Sequence, residues 1–176
     1  MNILSSQPPA SLTLTALSGI PLLNPGDNLV LIILQSLKQS NLSLENGDIL
    51  VIAQKVVSKA EGRYARLADI IPSERAFKLA EITGKDPRLV ELILSESREI
   101  VRHSKRTIQS SGVVVAENRQ GIVLANAGID SSNVGSESED EKVLLLPIDP
   151  DKSAGNINKE LQLKFKVRLA VIINDS

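Results

Sequence analysis

The sequence has no cysteine and no tryptophan, and only one histidine, one tyrosine and two phenylalanines in 176 residues. Without thiols there are no disulfides, thiolate zinc sites, iron–sulfur clusters or cysteine nucleophiles. So few aromatics, at a formal net charge of -1, provide neither the basic field nor the stacking platforms that nucleic acid needs. The apolar stretch "LVLIILQSL", Leu29 to Leu37, is far shorter than the roughly 20 residues of a membrane-spanning helix. No charged n-region leads into an apolar stretch at the N-terminus, and neither a GxxxxGK[ST] loop nor a GxGxxG fingerprint occurs.

What is present is branched aliphatic volume. The chain is 42% hydrophobic, mostly Ile, Leu and Val, which suits one well-filled core or a core with a small satellite. The pattern predicts an α+β fold, a mixed β-sheet with packed helices. Residues 1–11, with three Ser and two Pro, read as a flexible start, and 12–176 as one domain with a helical subdomain near 72–100. "LTLTAL" at Leu12 to Leu17 alternates as a strand does. Asp27 or Asn28 can cap a helix that buries Leu29, Val30, Ile33, Leu34 and Leu37.

"GDILVIAQKVVSKAEGR" then reads as a strand with a polar tail. Ser73 caps a helix with Ala76, Phe77 and Ala80 on one face and Gly84 at its end; Asp86-Pro87 opens another through Leu89, Leu92 and Ile93. Two strands flank the turn Asn118 to Gly121, and a helix and a final strand follow "LLLPIDPD".

The chemistry-bearing residues gather at strand exits. "GIVLANAGIDSSNVG", Gly121 to Gly135, leaves a buried run and presents Asn126, Asp130, Ser131, Ser132 and Asn133. Asp130 has the oxygen donors a hard divalent cation takes, and the neighbouring amides and hydroxyls suit a nucleotide, a phosphate or the cation's waters. An Asx-type turn satisfying its own backbone fits the same residues equally well. Lys55 and Lys59 bracket "KVVSK"; on an extended strand they would sit about 13 Å apart on one face.

Ser58-Lys59 beside Glu61-Gly62-Arg63 offers a phosphate-neutralising cation next to a turn, or simply a salt-bridged strand end. Asp149 and Asp151 fit a solvated helix cap better than a metal or anion site. Asp175-Ser176 repeats the device of a carboxylate and hydroxyl at the end of an apolar strand. His103 lies among Arg102, Lys105 and Arg106, and the helical glutamates read as solvated faces, so none of them is assigned acid–base work.

Six separated blocks, in unbroken order, resemble the coenzyme F420:L-glutamate ligase family, also called coenzyme F420-0 gamma-glutamyl ligase. They are "GIPLL" (19–23), "GDILVIAQKVVSKAEGR" (47–63), "PSERAFKLAEITGKDPRLVELILSES" (72–97), "NAGIDSSNV" (126–134), "LLPIDPDKSA" (145–154) and "VIINDS" (171–176). The resemblance implies a cytoplasmic, GTP-dependent amide ligase, a homodimer using Mg²⁺ or Mn²⁺. It would add L-glutamate to coenzyme F420-0 through an acyl phosphate and extend a γ-linked polyglutamate tail.

By the same resemblance Ile20, Pro21, Leu22 and Leu23 would line the nucleotide site through their backbone. Lys59 and Asn133 would contact GTP, with Gln54 and Lys55 beside it. Asp130, Asp175 and Ser176 would hold the metal. The family pattern continues for tens of residues past the aspartate–hydroxyl pair, so the ending at Ser176 reads as cut, and residues 1–176 alone are expected to turn over little. The alternatives are an inert nucleotide- or metal-binding fragment and a structural interaction module.

Overall fold

The computed structural model describes residues 11–131 and 141–174. Helix α1 (Leu29–Gln39) starts where Asn28 Oδ1 accepts from the Leu31 amide at 3.1 Å, and it buries Val30, Ile33 and Leu37. Strand β1 (Ile49–Ala53) follows the Gly47 turn. The backbone then bends at Ala53 into helix α2 (Gln54–Ala60), which overturns the expected strand tail. The helix turns Gln54, Val57 and Ser58 inward, whereas Lys55 and Lys59 fall one turn apart, about 6 Å along the axis. Short strand β2 (Tyr64–Arg66) and a single 3₁₀ turn over Leu67–Asp69 complete this part.

The two central helices keep their expected starts. Ser73 Oγ accepts from the Ala76 amide in α3 (Glu74–Thr83), and Asp86 Oδ1 accepts from the Arg88 amide in α4 (Pro87–Ser95). Gly84 closes α3 at φ 67°. The α3 inner face is Ala76, Leu79, Ala80 and Thr83; Phe77, expected there, is 55% exposed. One residue of rotation from Ala76 carries it off the packed stripe.

Strands β3 (Ser97–His103), β4 (Val114–Asn118) and β5 (Val123–Ala125) form an antiparallel sheet against these helices. Asn118 Oδ1 accepts from the amides of Gln120 and Ile122 and so shapes the turn between β4 and β5. Leu67, Val90, Ile93, Val114 and Val143 lie at the centre of this core.

Strand β6 (Lys142–Leu144) pairs antiparallel with β2, and α5 (Pro150–Phe165) starts on Asp149, whose side chain accepts from the Lys152 amide at 2.9 Å. Strand β7 (Ala170–Asn174) runs parallel to β1, from Ile49 opposite Ala170 to Ala53 opposite Asn174. α1, α5, β1 and β7 enclose a second apolar cluster with Ile33, Leu37, Ile52, Val57 and Leu161 at its centre. The architecture is α+β, with parallel and antiparallel strand pairs and packed helices.

"LTLTAL" forms no strand: residues 11–23 carry no regular structure, and Leu12 and Leu14 are 83% and 84% exposed. Alternation alone does not make a strand where no strand among the described residues completes its ladder. No helix among the described residues is long and apolar enough to cross a membrane.

Candidate functional site

Parallel strands tend to place ligands beyond their carboxyl ends. Here that position belongs to β1 and β7, which end side by side on Ala53 and Asn174. Directly after β1, α2 offers Lys55 to solvent and keeps Gln54 and Ser58 inside, joined by a hydrogen bond from Gln54 Nε2 to Ser58 Oγ. Ser58 is therefore a packing group, and the cation that the Ser58-Lys59 pair offers comes from Lys59 alone.

Asp130 reaches the same place from 75 residues further along the chain: its Oδ2 lies 2.7 Å from Lys55 Nζ, with the side chains 22% and 48% exposed. The backbone behind it is tightly held. Asp130 and Leu144 exchange both amide hydrogen bonds at 2.9 Å, fastening Asp130 to the end of β6. The turn that delivers it is left-handed throughout, with φ of 51°, 55° and 78° at Asn126, Ala127 and Gly128.

Two of those three residues carry a Cβ, so the turn stores strain of about 1–2 kcal/mol at each. Ala127 is 1% exposed, and its burial in the β3–β4–β5 core holds the conformation in place. The Asn126 Oδ1 atom is buried with no hydrogen-bond partner among the described residues.

A second group of side chains fixes the loop from Leu145 to Asp149. Arg63 donates from Nε to the Leu146 carbonyl at 2.8 Å and from Nη2 to Glu96 Oε2 at 3.0 Å. Glu61 accepts from the Ile148 amide and from Ser153 Oγ, and Gln120 Nε2 donates to the Pro147 carbonyl. Arg63 and Glu61 are thus structural clamps, and of the two readings open for this stretch the Arg63–Glu96 pair fits the salt-bridged one. The signal for this was absent from the local sequence, because every partner lies 33 to 92 residues away.

The N-terminal expectations fall on an apolar groove of about 460 Å³ between residues 13–17, α1 and β1. Ile20 and Leu23 line it together with Ala53 and Val56, while Pro21 and Leu22 face solvent. Gln54 and Lys55 directly follow this wall, so the groove abuts the strand exit. Lys59 sits half-buried on α2. Asn133, Asp175 and Ser176 lie outside the described residues. His103 is exposed at the end of β3.

A hard divalent cation suits Asp130, whose carboxylate oxygen already attracts a cationic group in a fixed position. Among the described residues no three Asp, Glu or His side chains come together, and the carboxylate beside Lys55 is that of Asp130.

The sequence profile of the family described as F420-0:Gamma-glutamyl ligase matches residues 19–176. The chain is 45% identical over 165 residues to the coenzyme F420:L-glutamate ligase of Methanothermobacter thermautotrophicus, covering 94% of this chain and 62% of that protein. It is 44% identical to the enzyme of the same name from Methanopyrus kandleri, covering 86% of this chain and 54% of that protein. For the one from Methanocaldococcus jannaschii the identity is 42%, over 76% of this chain and 49% of that protein. The chain therefore spans about half to three-fifths of the length of these relatives. With the profile matching nearly all of its residues, this chain belongs to the F420-0:gamma-glutamyl ligase family.

Proposed function

We propose that this chain carries the nucleotide- and metal-binding part of a GTP-dependent ligase that joins L-glutamate to coenzyme F420-0. The observation supporting it most is the Lys55–Asp130 contact. Lys55, expected beside nucleotide, and Asp130, expected on metal, meet just past the end of β1, although they lie 75 residues apart in the chain.

In the proposed reaction the acceptor carboxylate of F420-0 attacks the γ-phosphorus of GTP, the bond to the β-phosphate oxygen breaks, and GDP leaves. The α-amine of glutamate then attacks the acyl carbon, phosphate departs with the carboxyl oxygen, and the amine loses a proton. The first step replaces a poor oxide leaving group by phosphate. Lys55 and Lys59 would neutralise phosphate oxygens, and Asp130 would hold the Mg²⁺ or Mn²⁺ that offsets charge in the transfer. Asn133, Asp175 and Ser176 remain the expected further contacts, and a cytoplasmic homodimer is the expected form.

The test is mass-spectrometric detection of a glutamate adduct on F420-0 with GTP and Mn²⁺. It is run on this chain and on the chain lengthened by any coding sequence that continues past Ser176. Adduct formation in either form, with GDP released, is the expected result. A folded protein that yields no adduct in both forms refutes the ligase reading.

A further inference from the structure

An expected nucleotide contact and an expected metal ligand should not need each other, yet Lys55 Nζ and Asp130 Oδ2 are 2.7 Å apart. Hard divalent cations bind carboxylate oxygens at roughly 2.0–2.6 Å, so the ammonium stands close to where such a cation would stand. Two cations at one oxygen repel each other strongly at this range. A metal taking Oδ2 therefore displaces the lysine, and one taking Oδ1 is still weakened by the ammonium beside it.

The two partners differ in their freedom to move. Asp130 is fastened through its backbone to Leu144 and preceded by the left-handed turn over Asn126 to Gly128. Lys55 is 48% exposed, on a flexible four-carbon stem rooted in the first turn of α2. The carboxylate is the fixed element and the ammonium the movable one.

We propose that Lys55 is a tethered counter-cation, which holds the Asp130 carboxylate and yields it to a divalent cation when a polyphosphate draws the lysine away. The proposal rests on the reading of Asp130 as a metal ligand and of Lys55 as a phosphate contact. Its consequence is coupling between ligands that need not touch. Metal alone must compete with the lysine, and polyphosphate alone must compete with the carboxylate for that lysine. Each ligand removes the other's competitor, and the coupling is reciprocal.

The experiment titrates Mn²⁺ alone, followed by electron paramagnetic resonance, into the wild-type chain and its Lys55→Met, Lys55→Arg and Asp130→Asn variants. Circular dichroism checks that each is folded. Lys55→Met, which keeps the stem and removes the charge, is expected to tighten Mn²⁺ binding about fivefold, the scale of a partly exposed ion pair. Lys55→Arg is expected to match the wild type, and Asp130→Asn to lose the site. Lys55→Gln repeats the test if Lys55→Met does not fold.

In a second arm, GTP binding is measured in EDTA. Asp130→Asn is expected to strengthen it about fivefold by removing the Asp130 carboxylate as a competitor for Lys55, and this gain is expected to vanish in the Lys55→Met background. Two results overturn the counter-cation role and leave the metal reading intact. One is a Lys55→Met variant with unchanged or weaker Mn²⁺ affinity while Asp130→Asn abolishes binding; the other is an equal GTP gain in both backgrounds. Mn²⁺ affinity unchanged in Asp130→Asn refutes the metal reading itself, and the proposal with it.

Discussion

Gly128→Ala tests the turn that delivers Asp130. Gly128 has φ 78°, and a Cβ built there comes within 2.7 Å of Leu146 Cδ1 and 3.0 Å of Leu124 Cδ1. The left-handed backbone costs an L-residue about 1–2 kcal/mol, and a methyl forced into a packed contact typically costs about 1–3 kcal/mol. Stiffening of the unfolded chain returns only about 0.4–1 kcal/mol. Leu146 has little room to retreat, because it is 9% exposed and its carbonyl is held by Arg63.

The net expectation is a loss of about 2–3 kcal/mol, which lowers the melting temperature by about 5–10 °C for a chain of this size. Thermal and urea unfolding followed by circular dichroism measure it. Gly155→Ala in α5 is the control, since nothing lies within 4 Å of its Cβ position. A helical glycine replaced by alanine should gain about 0.5–1 kcal/mol. If Gly128→Ala melts with the wild type while the control is stabilised, the close packing of the turn against Leu146 is refuted.

Arg63→Met should cost about 2 kcal/mol in urea unfolding. It leaves Glu96, 24% exposed, and the Leu146 carbonyl without their guanidinium, and unchanged stability would refute the clamp. Acid stability should depend on Asp86 and Glu91. The Arg88 guanidinium holds the Asp86 carboxyl below its ordinary value, and hydrogen bonds from Ser73 do the same for Glu91. Both folded-state values are depressed, so their contribution is complete above the unfolded values of about 3.9 and 4.3 and disappears as pH falls through the folded ones. Asp86→Asn retains a capping side chain and should flatten the stability profile between about pH 2 and 5; an unaltered slope in urea unfolding across that range would remove Asp86 from the account.

The helix starts were legible because they are written locally. Ser73, Asn28 and the pair Asp86-Pro87 satisfy amides within three residues of themselves, and so their signals survive without any tertiary context. The hairpin between β4 and β5 was legible for the same reason, through Asn118. Helix α2 was not, because Val56 and Val57 prolong the branched run of β1 and hide the change of period from 2 to 3.6 at Ala53. "LTLTAL" misled in the opposite direction, its alternation having no partner strand among the described residues. The site was half readable. Asp130 stood out by its chemistry, but its pairing with Lys55 depends on β6 fixing its backbone beside α2, which no local pattern records.

The parallel ladder of β1 with β7 joins residues 49–53 to 170–174. The first strand of the candidate site thus gains its partner only after nearly all of the described chain has been synthesised. The antiparallel sheet of β3, β4 and β5 closes over much shorter loops and needs nothing from β7. On a ribosome the helical pair and its sheet are therefore expected to be protected early, and the mouth of β1 late. Pulsed hydrogen exchange during refolding would show Val114 to Asn118 shielded before Ile49 to Ala53, and simultaneous protection would contradict this order. Binding competence would then follow the folding of the antiparallel sheet, and nucleotide or metal would find the mouth of β1 only on chains that have already built that sheet.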